Sequence, residues 1–183
     1  MDANGAWNYT ASSAHPEFVA GTNYSDVFTV TSADGTTSTI TVNILGTNDA
    51  AVISTATANL TETDAVLTTS GNLTITDADS AATFVAGTIA GTYGSIAIDA
   101  NGAWNYTASS AHPEFVAGTN YSDFFTVTSA DGTTSTITVN ILGTNDAAVI
   151  STATVNLTET DAVLTASGNL TITDADSAAT FAA

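Results

Sequence analysis

The hydrophobic positions of this chain alternate with Thr, Ser and Asn at a period of two, the signature of a half-buried β-strand. Ile137, Val139 and Ile141 point one way in Ser135–Leu142 while Thr and Asn point the other. Trp104 and Tyr106 share a face in Ala103–Thr107, as do Ile96 and Ile98 in Gly94–Ile98 and Phe125 and Val127 in Phe124–Ser129. Further strand-like runs cover Val52–Leu60, Val66–Thr76 and Thr83–Ile89. Between them lie turns rich in Gly, Asn and Asp, such as Asp99-Ala100-Asn101-Gly102 and Ala130-Asp131-Gly132-Thr133. Seven runs and their turns predict an all-β fold. The strand-poor stretch Ala108–Ser122, with His112-Pro113-Glu114-Phe115, reads as a crossover between sheets with a short helical turn.

The pattern repeats. Residues 2–86 match residues 99–183 at a period of 97, differing at Val27/Phe124, Ala58/Val155, Thr69/Ala166 and Val85/Ala182. Phe124 is predicted on the face opposite Phe125, which makes the Val/Phe exchange tolerable. A period of 97 suits one β-sandwich of about 100 residues rather than a solenoid repeat. Each copy carries Gly-Thr-Asn-Asp-Ala-Ala-Val-Ile, at 46–53 and at 143–150, between two strand-like runs. That phrase reads as a hinge, with Gly, Asn and Asp supplying turn and left-handed conformations. Boundaries at the hinge make 49–145 the whole module, with 1–48 the C-terminal half of one module and 146–183 the N-terminal half of another. The two halves together would lack Gly87–Ala97, expected to cost one strand.

Charge changes the picture. The chain has 18 Asp and Glu, no Lys or Arg, and a net charge of −18. Such a surface excludes nucleic acid, whose phosphates need basic partners, and disfavours anionic membranes. It repels itself unless cations are bound, so the expected partner is a cation. Trypsin-like proteases would find no cleavage site. Cysteine is absent, so no disulfide can staple the fold, and without lysine no Lys–Asn crosslink can form. No apolar run approaches the roughly 18 residues of a membrane helix, and no basic n-region marks a signal peptide; export, where it occurs, is not encoded in this stretch. One-signed charge with abundant Ser, Thr and Gly pushes toward disorder, but regular alternation, aromatics within strand-like runs and only two prolines favour folded β structure.

The nine acids of the whole module, Asp49, Glu62, Asp64, Asp77, Asp79, Asp99, Glu114, Asp123 and Asp131, are all expected in or beside loops. An up-and-down trace places Asp77, Asp79, Asp99 and Asp131 near Asn48 and Asp49 at one end. Glu62 and Asp64 then lie at the other end, beside Asn145 and Asp146. The complete junction would gather Glu62, Asp64, Asn145, Asp146, Asp174 and Asp176, and Glu159 and Asp161 are the counterparts of Glu62 and Asp64 in the following half. Calcium takes six to eight oxygens, many of them carboxylate, and this set has its size and hardness. Zinc and copper lack Cys and a His pair. The alternative is an acidic surface that only confers solubility. His112 reads either as a metal ligand or as a loop histidine before proline.

The hinge phrase, together with Gly-Asn-Leu-Thr-Ile-Thr-Asp-Ala-Asp (71–79), Gly-Ala-Trp-Asn-Tyr-Thr (102–107) and Phe-Thr-Val-Thr-Ser-Ala-Asp-Gly-Thr (125–133), resembles the VCBS repeat. That family is a cadherin-like, immunoglobulin-like module of large bacterial surface and secreted proteins, including RTX-type adhesins. The resemblance implies a seven-stranded Greek-key β-sandwich in tandem, extracellular on the bacterial surface, serving as a calcium-rigidified extender or adhesive element. The glycine-rich nonapeptides of the RTX calcium roll are absent, so only the stalk is implied. No nucleophile elbow or other catalytic constellation is present, and the chain is not expected to be an enzyme. Two other functions remain open. Half-modules of neighbouring molecules could complete each other into a homopolymeric filament, or exposed aromatics could bind a host or surface glycan; Trp104 and Tyr106 read more naturally as core.

Overall fold

Alternation of β-branched and aromatic residues with Thr and Asn gives each strand one apolar face, and the fold is the way those faces meet. The structure is a computed structural model and describes residues 1–182. Its elements are β1 (Asn23–Thr31), β2 (Thr37–Leu45), β3 (Val52–Ile53), β4 (Ala56–Thr61), β5 (Thr68–Asn72), β6 (Ile75–Thr76), β7 (Gly87–Ala90), β8 (Gly94–Ile98), β9 (Ala103–Ala108), β10 (Asn120–Thr128), β11 (Thr134–Leu142), β12 (Val149–Ile150) and β13 (Ile172–Thr173). Among the described residues there is no helix, and none long and apolar enough to cross a membrane.

Two sheets face each other across the core. One has the order β5-β9-β8-β7 and the other β10-β11-β4, and β3 and β6 form a short separate ladder. Trp104 and Tyr106 of β9, Ile96 and Ile98 of β8, Phe125 and Val127 of β10, and Ile137, Val139 and Ile141 of β11 fill the space between the sheets. Phe124 points outward, 71% exposed, while Phe125 is fully buried. The pairing β11–β4 is parallel, running from Ile137↔Ala56 to Leu142↔Thr61.

Several local expectations need correction. The run Val52–Leu60 is two strands, because Ser54 and Thr55 carry the chain from the β3–β6 ladder to the edge of β11. The run Val66–Thr76 likewise breaks between β5 and β6, and strand Thr83–Ile89 begins only at Gly87, with Phe84 making an isolated bridge to Ser129. Stretch 109–119 contains turns rather than a helical turn. The piece 87–97 therefore holds β7 and nearly all of β8, two strands rather than one. Gly46 and Gly143 are not in the left-handed region, and neither are the hinge Asn and Asp residues. Glycine stands there for space: a Cβ on Gly143 would lie 2.4 Å from the Val116 carbonyl oxygen.

Residues outside 49–145 share their sequence with residues inside it but not their surroundings. The hairpin β1–β2 keeps the register of β10–β11, with Phe28↔Ile40 where Phe125↔Ile137 stands. Yet Phe28 is 45% exposed and Trp7 51%, because no second sheet covers them. Residues 151–171 form no strand, whereas their counterparts 54–74 include β4 and β5.

This gives a matched pair of substitutions. Phe125→Ala should cost about 3–5 kcal/mol of unfolding free energy, and Phe28→Ala, one repeat earlier, less than about 1 kcal/mol. Urea unfolding of dilute protein, followed by Trp fluorescence, measures both.

Candidate metal centre

The site forms where β11 hands the chain to the second hinge. Gly143 passes under the 115–119 turn, its N–H donating to the Thr119 carbonyl and its own carbonyl accepting from Gly118 N–H, at 2.9 and 3.0 Å. The parallel ladder continues one residue beyond β4, with Glu62 N–H donating to the Leu142 carbonyl at 2.8 Å. Glu62 is thereby drawn to 2% exposure. Thr144 holds it there: its N–H (3.3 Å) and hydroxyl (2.5 Å) both donate to Glu62 Oε2.

Asp146 and Asp64 complete a triad. Carboxylate oxygens of Glu62, Asp64 and Asp146 all lie within 4.8 Å of one another, the separation expected of oxygens that each sit about 2.4 Å from a shared calcium. Asp176 joins from the β13 side, its Oδ1 accepting Asp146 N–H at 3.2 Å. Asp174 supports Asp176 by accepting its N–H at 3.2 Å and that of Ser177 at 2.8 Å. The Asn145 side chain donates instead to the Asp146 carbonyl.

Electrostatics make this cluster costly without a cation. Two unit charges about 4–5 Å apart repel by roughly 3–4 kcal/mol at an effective dielectric constant near 20, and the chain has no Lys or Arg to offset that. Glu62 Oε1 and Asp146 Oδ2 are buried without a hydrogen-bond donor, a position that an ionised carboxylate tolerates poorly. The Asp146 carboxyl is pushed above the usual range by burial, then by its contact with Asp64 and the charges of Glu62, Asp64 and Asp176. Asp174 is held low, chiefly by the Ser177 hydroxyl and amide.

At the first hinge the acids gather differently. Asp131 accepts from Ala51 N–H (3.0 Å), the Asn48 side chain (3.4 Å), Thr133 N–H and hydroxyl, and the Ser129 hydroxyl. These donors, the Ser129 hydroxyl foremost, hold its carboxyl far below the usual range, so Asp131 works as a clamp on the hinge backbone. Asp49 N–H donates to Asp79 Oδ1, and Asp79 N–H to Asp77 Oδ1. Asp79 Oδ2 is buried without a donor. Asp99 spends its carboxylate on Asn101 and Ala103 of its own turn and bonds to none of the other acids. Glu159 and Asp161 lie on the exposed segment 151–171. Among the described residues, Glu62, Asp64 and Asp146 form the one group of three or more His or acidic side chains drawn this close.

One acid, one histidine and one threonine have roles that the sequence did not assign. Asp123, expected beside a loop, lies inside β10 and is 2% exposed. It accepts from Thr92 N–H, Tyr93 N–H and the Tyr106 hydroxyl, and burial followed by its charge pushes the Tyr106 phenol upward. Alternation with Phe125 and Val127 was the signal that would have placed it inward. His112 is buried at positive φ, between Glu114 (2.8 Å) and the Tyr93 carbonyl (2.8 Å), stacked on Phe115. Both ring nitrogens are thus engaged away from the acid cluster. Thr144, the anchor of Glu62, was visible only as part of the hinge phrase.

The sequence profile of the bacterial cadherin-like domain matches residues 48–143. No curated protein matches the chain.

The raised Asp146 carboxyl sets the sign of a pH effect. Its folded value exceeds its unfolded one, so without metal its unfavourable contribution is absent at low pH and appears as pH rises through the folded value. In EDTA, acidification from neutral pH down to the ordinary carboxylate range, about pH 4, should raise the melting temperature. Further acidification should lower it again, as Asp131 and Asp174, held low in the fold, take up protons. Asp146→Asn should abolish the first effect and keep the second, as read by calorimetry.

Proposed function

The chain belongs to the bacterial cadherin-like domain family, a structural rather than enzymatic module of extracellular surface proteins, and from that premise we propose that it is a calcium-stiffened extender of a bacterial surface adhesin. In this reading it is a VCBS-type repeat, with 49–145 as the whole module and 1–48 and 146–183 as halves of its neighbours. The observation that carries the proposal is the triad Glu62, Asp64 and Asp146, with two buried oxygens that have no donor in a chain without a basic side chain. Oxygen ligands alone fit a hard cation such as calcium and offer nothing to zinc or copper.

Glu62, Asp64 and Asp146 would hold the ion directly, with Asp176 and the Asn145 amide at the rim. Bound calcium supplies two positive charges that replace repulsion with attraction. The chain's own contribution is geometric. Glu62 is fixed to the end of β11 through Leu142 and Thr144, and Asp146 is fixed to the turn after β13 through Asp176. Drawing the two together would lock the hinge and set the angle of the following module. Asp49, Asp77, Asp79 and Asp131 would form one side of the preceding junction. Trp104 and Tyr106, 5% and 0% exposed, are unavailable to stack on a sugar.

The test is thermal melting in calcium and in EDTA. A ligand that binds only the folded state stabilises it by RT ln(1 + [L]/Kd), about 4 kcal/mol at 1,000 Kd, or roughly ten degrees or more for a domain of this size. Glu62→Gln and Asp146→Asn should each remove most of the shift. An unchanged midpoint in the parent chain would leave an acidic spacer that does not use calcium.

A further inference from the structure

The chain enters the sandwich of residues 49–145 at one end of a strand ladder and leaves it at the other. Strands β4 and β11 pair in parallel over six residue pairs, from Ala56↔Ile137 to Thr61↔Leu142. Incoming chain joins this ladder at Ala56, and outgoing chain leaves it after Leu142, about 17 Å further along. A pull on the chain from both sides of the sandwich therefore draws β4 and β11 in opposite directions along their own axes. In that geometry every row of the ladder must slip at once. Pulled sideways from one end, the same rows open in turn.

Side chains close both ends of the ladder. At the entry end, Asp131 of the β10–β11 turn accepts from Ala51 N–H at 3.0 Å and from the Asn48 side chain at 3.4 Å. Asp131 stands just before β11 begins at Thr134, so the incoming backbone is tied to the start of the strand from which the chain departs. At the exit end, Glu62 N–H donates to the Leu142 carbonyl, and Glu62 Oε2 accepts from Thr144 N–H and hydroxyl. Between the ends, Ser135 Oγ donates to the Ser54 carbonyl at 2.8 Å and Asn140 Nδ2 to Asn59 Oδ1 at 2.9 Å. The other sheet, β5-β9-β8-β7, shares no ladder with either strand.

We propose that the sandwich is a shear clamp against tension along the chain. Strand β11 carries the load, held to the incoming chain by Asp131 at its start, by β4 along its length and by Glu62 at its end. The sheet β5-β9-β8-β7 stays unloaded. Asp131 is the tie loaded first, because Asn48 and Ala51 lie upstream of β3 and β4. While it holds, force passes through Asp131 into β11 and out through Gly143, bypassing the rest of the sandwich. This arrangement needs no metal. An ion shared by Glu62, Asp64 and Asp146 would add one more tie, since the first two residues follow β4 and the third follows β11. That increment alone rests on the calcium reading above.

Single-molecule stretching of the full chain tests the clamp. The chain has no cysteine, so cysteines introduced in pairs at exposed positions serve as handles. Thr47→Cys with Ala147→Cys loads the ladder in shear. Thr63→Cys with Ala147→Cys, both at the exit end, peels it row by row. In EDTA the first pair should need a severalfold higher force than the second. Its main step should free the 87 residues from Ala56 to Leu142, at most about 290–310 Å of chain. Forced unfolding follows the unfolding barrier rather than equilibrium stability, so Asp131→Ala should narrow the gap between the two directions. Equal forces in the two directions, or an Asp131→Ala chain that keeps the parent's ratio, overturns the proposal. The parent's dependence on direction decides the matter even where that variant fails to fold. Added calcium should raise the shear force of the parent and not of Asp146→Asn. A shear force indifferent to calcium sinks the metal reading and leaves the clamp standing, whereas equal forces in both directions sink the clamp whatever calcium does.

Discussion

Eighteen acids without one basic side chain set the terms on which this fold exists. Each buried carboxylate must find N–H and O–H donors or a metal ion, because salt bridges to Lys or Arg are unavailable. The structure takes the first course at Asp123 and Asp131, where amides and hydroxyls saturate the carboxylate and make it a clamp on a turn. It takes only half of that course at Glu62, Asp79 and Asp146, each of which keeps one buried oxygen without a donor. Those three residues sit at the two hinges. Where the backbone stops supplying donors is therefore also where the Gly-Thr-Asn-Asp phrase stands in each copy.

The parallel pairing of β4 with β11 connects that chemistry to the fold. It carries Glu62 to the end of β11, within reach of Thr144. Glycine at 143 lets the chain pass under the Val116 carbonyl so that Asp146 can turn back toward Glu62. The stretch is thus held by close packing at its start, while three carboxylates repel one another at its centre. On the proposed calcium reading, an ion there would couple stability and hinge stiffness to ionic conditions.

Much of this was legible beforehand. Alternation located β8, β9 and β11 nearly to the residue and assigned Phe124 and Phe125 to opposite faces. The loop positions of the acids, with a simple trace of strand direction, put Asp77, Asp79 and Asp131 near Asn48 and Asp49, and Glu62 and Asp64 near Asp146. The misses share one cause. Splitting of Val52–Leu60 and of Val66–Thr76 between ladders is decided by which edge each half can reach, and a period-two pattern is the same whichever partner it finds. Asp123 lies inside β10 rather than beside a loop because Thr92 and Tyr93 N–H supply its donors from about 30 residues away in the chain. Asp99 was grouped with the hinge acids because its turn lies at the right end, though local amides consume its carboxylate.

The duplication separates what sequence decides from what it leaves to tertiary structure. Local sequence alone sets turns and hairpins: β1–β2 and β10–β11 share one register, and β12–β13 repeats β3–β6, because those contacts close within a short length of chain. It also sets the charge, the alternation and the places where carboxylates can stand. It does not decide whether Ala153–Thr158 is a strand, although Ala56–Thr61 is one with five of the same six residues. Nor does it decide whether Phe28 is core, although Phe125 is. Those outcomes depend on a partner strand or sheet about 80 residues away, whose burial must offset the entropy of ordering the segment. With the partner present the segment becomes strand and core; without it the same residues remain exposed coil.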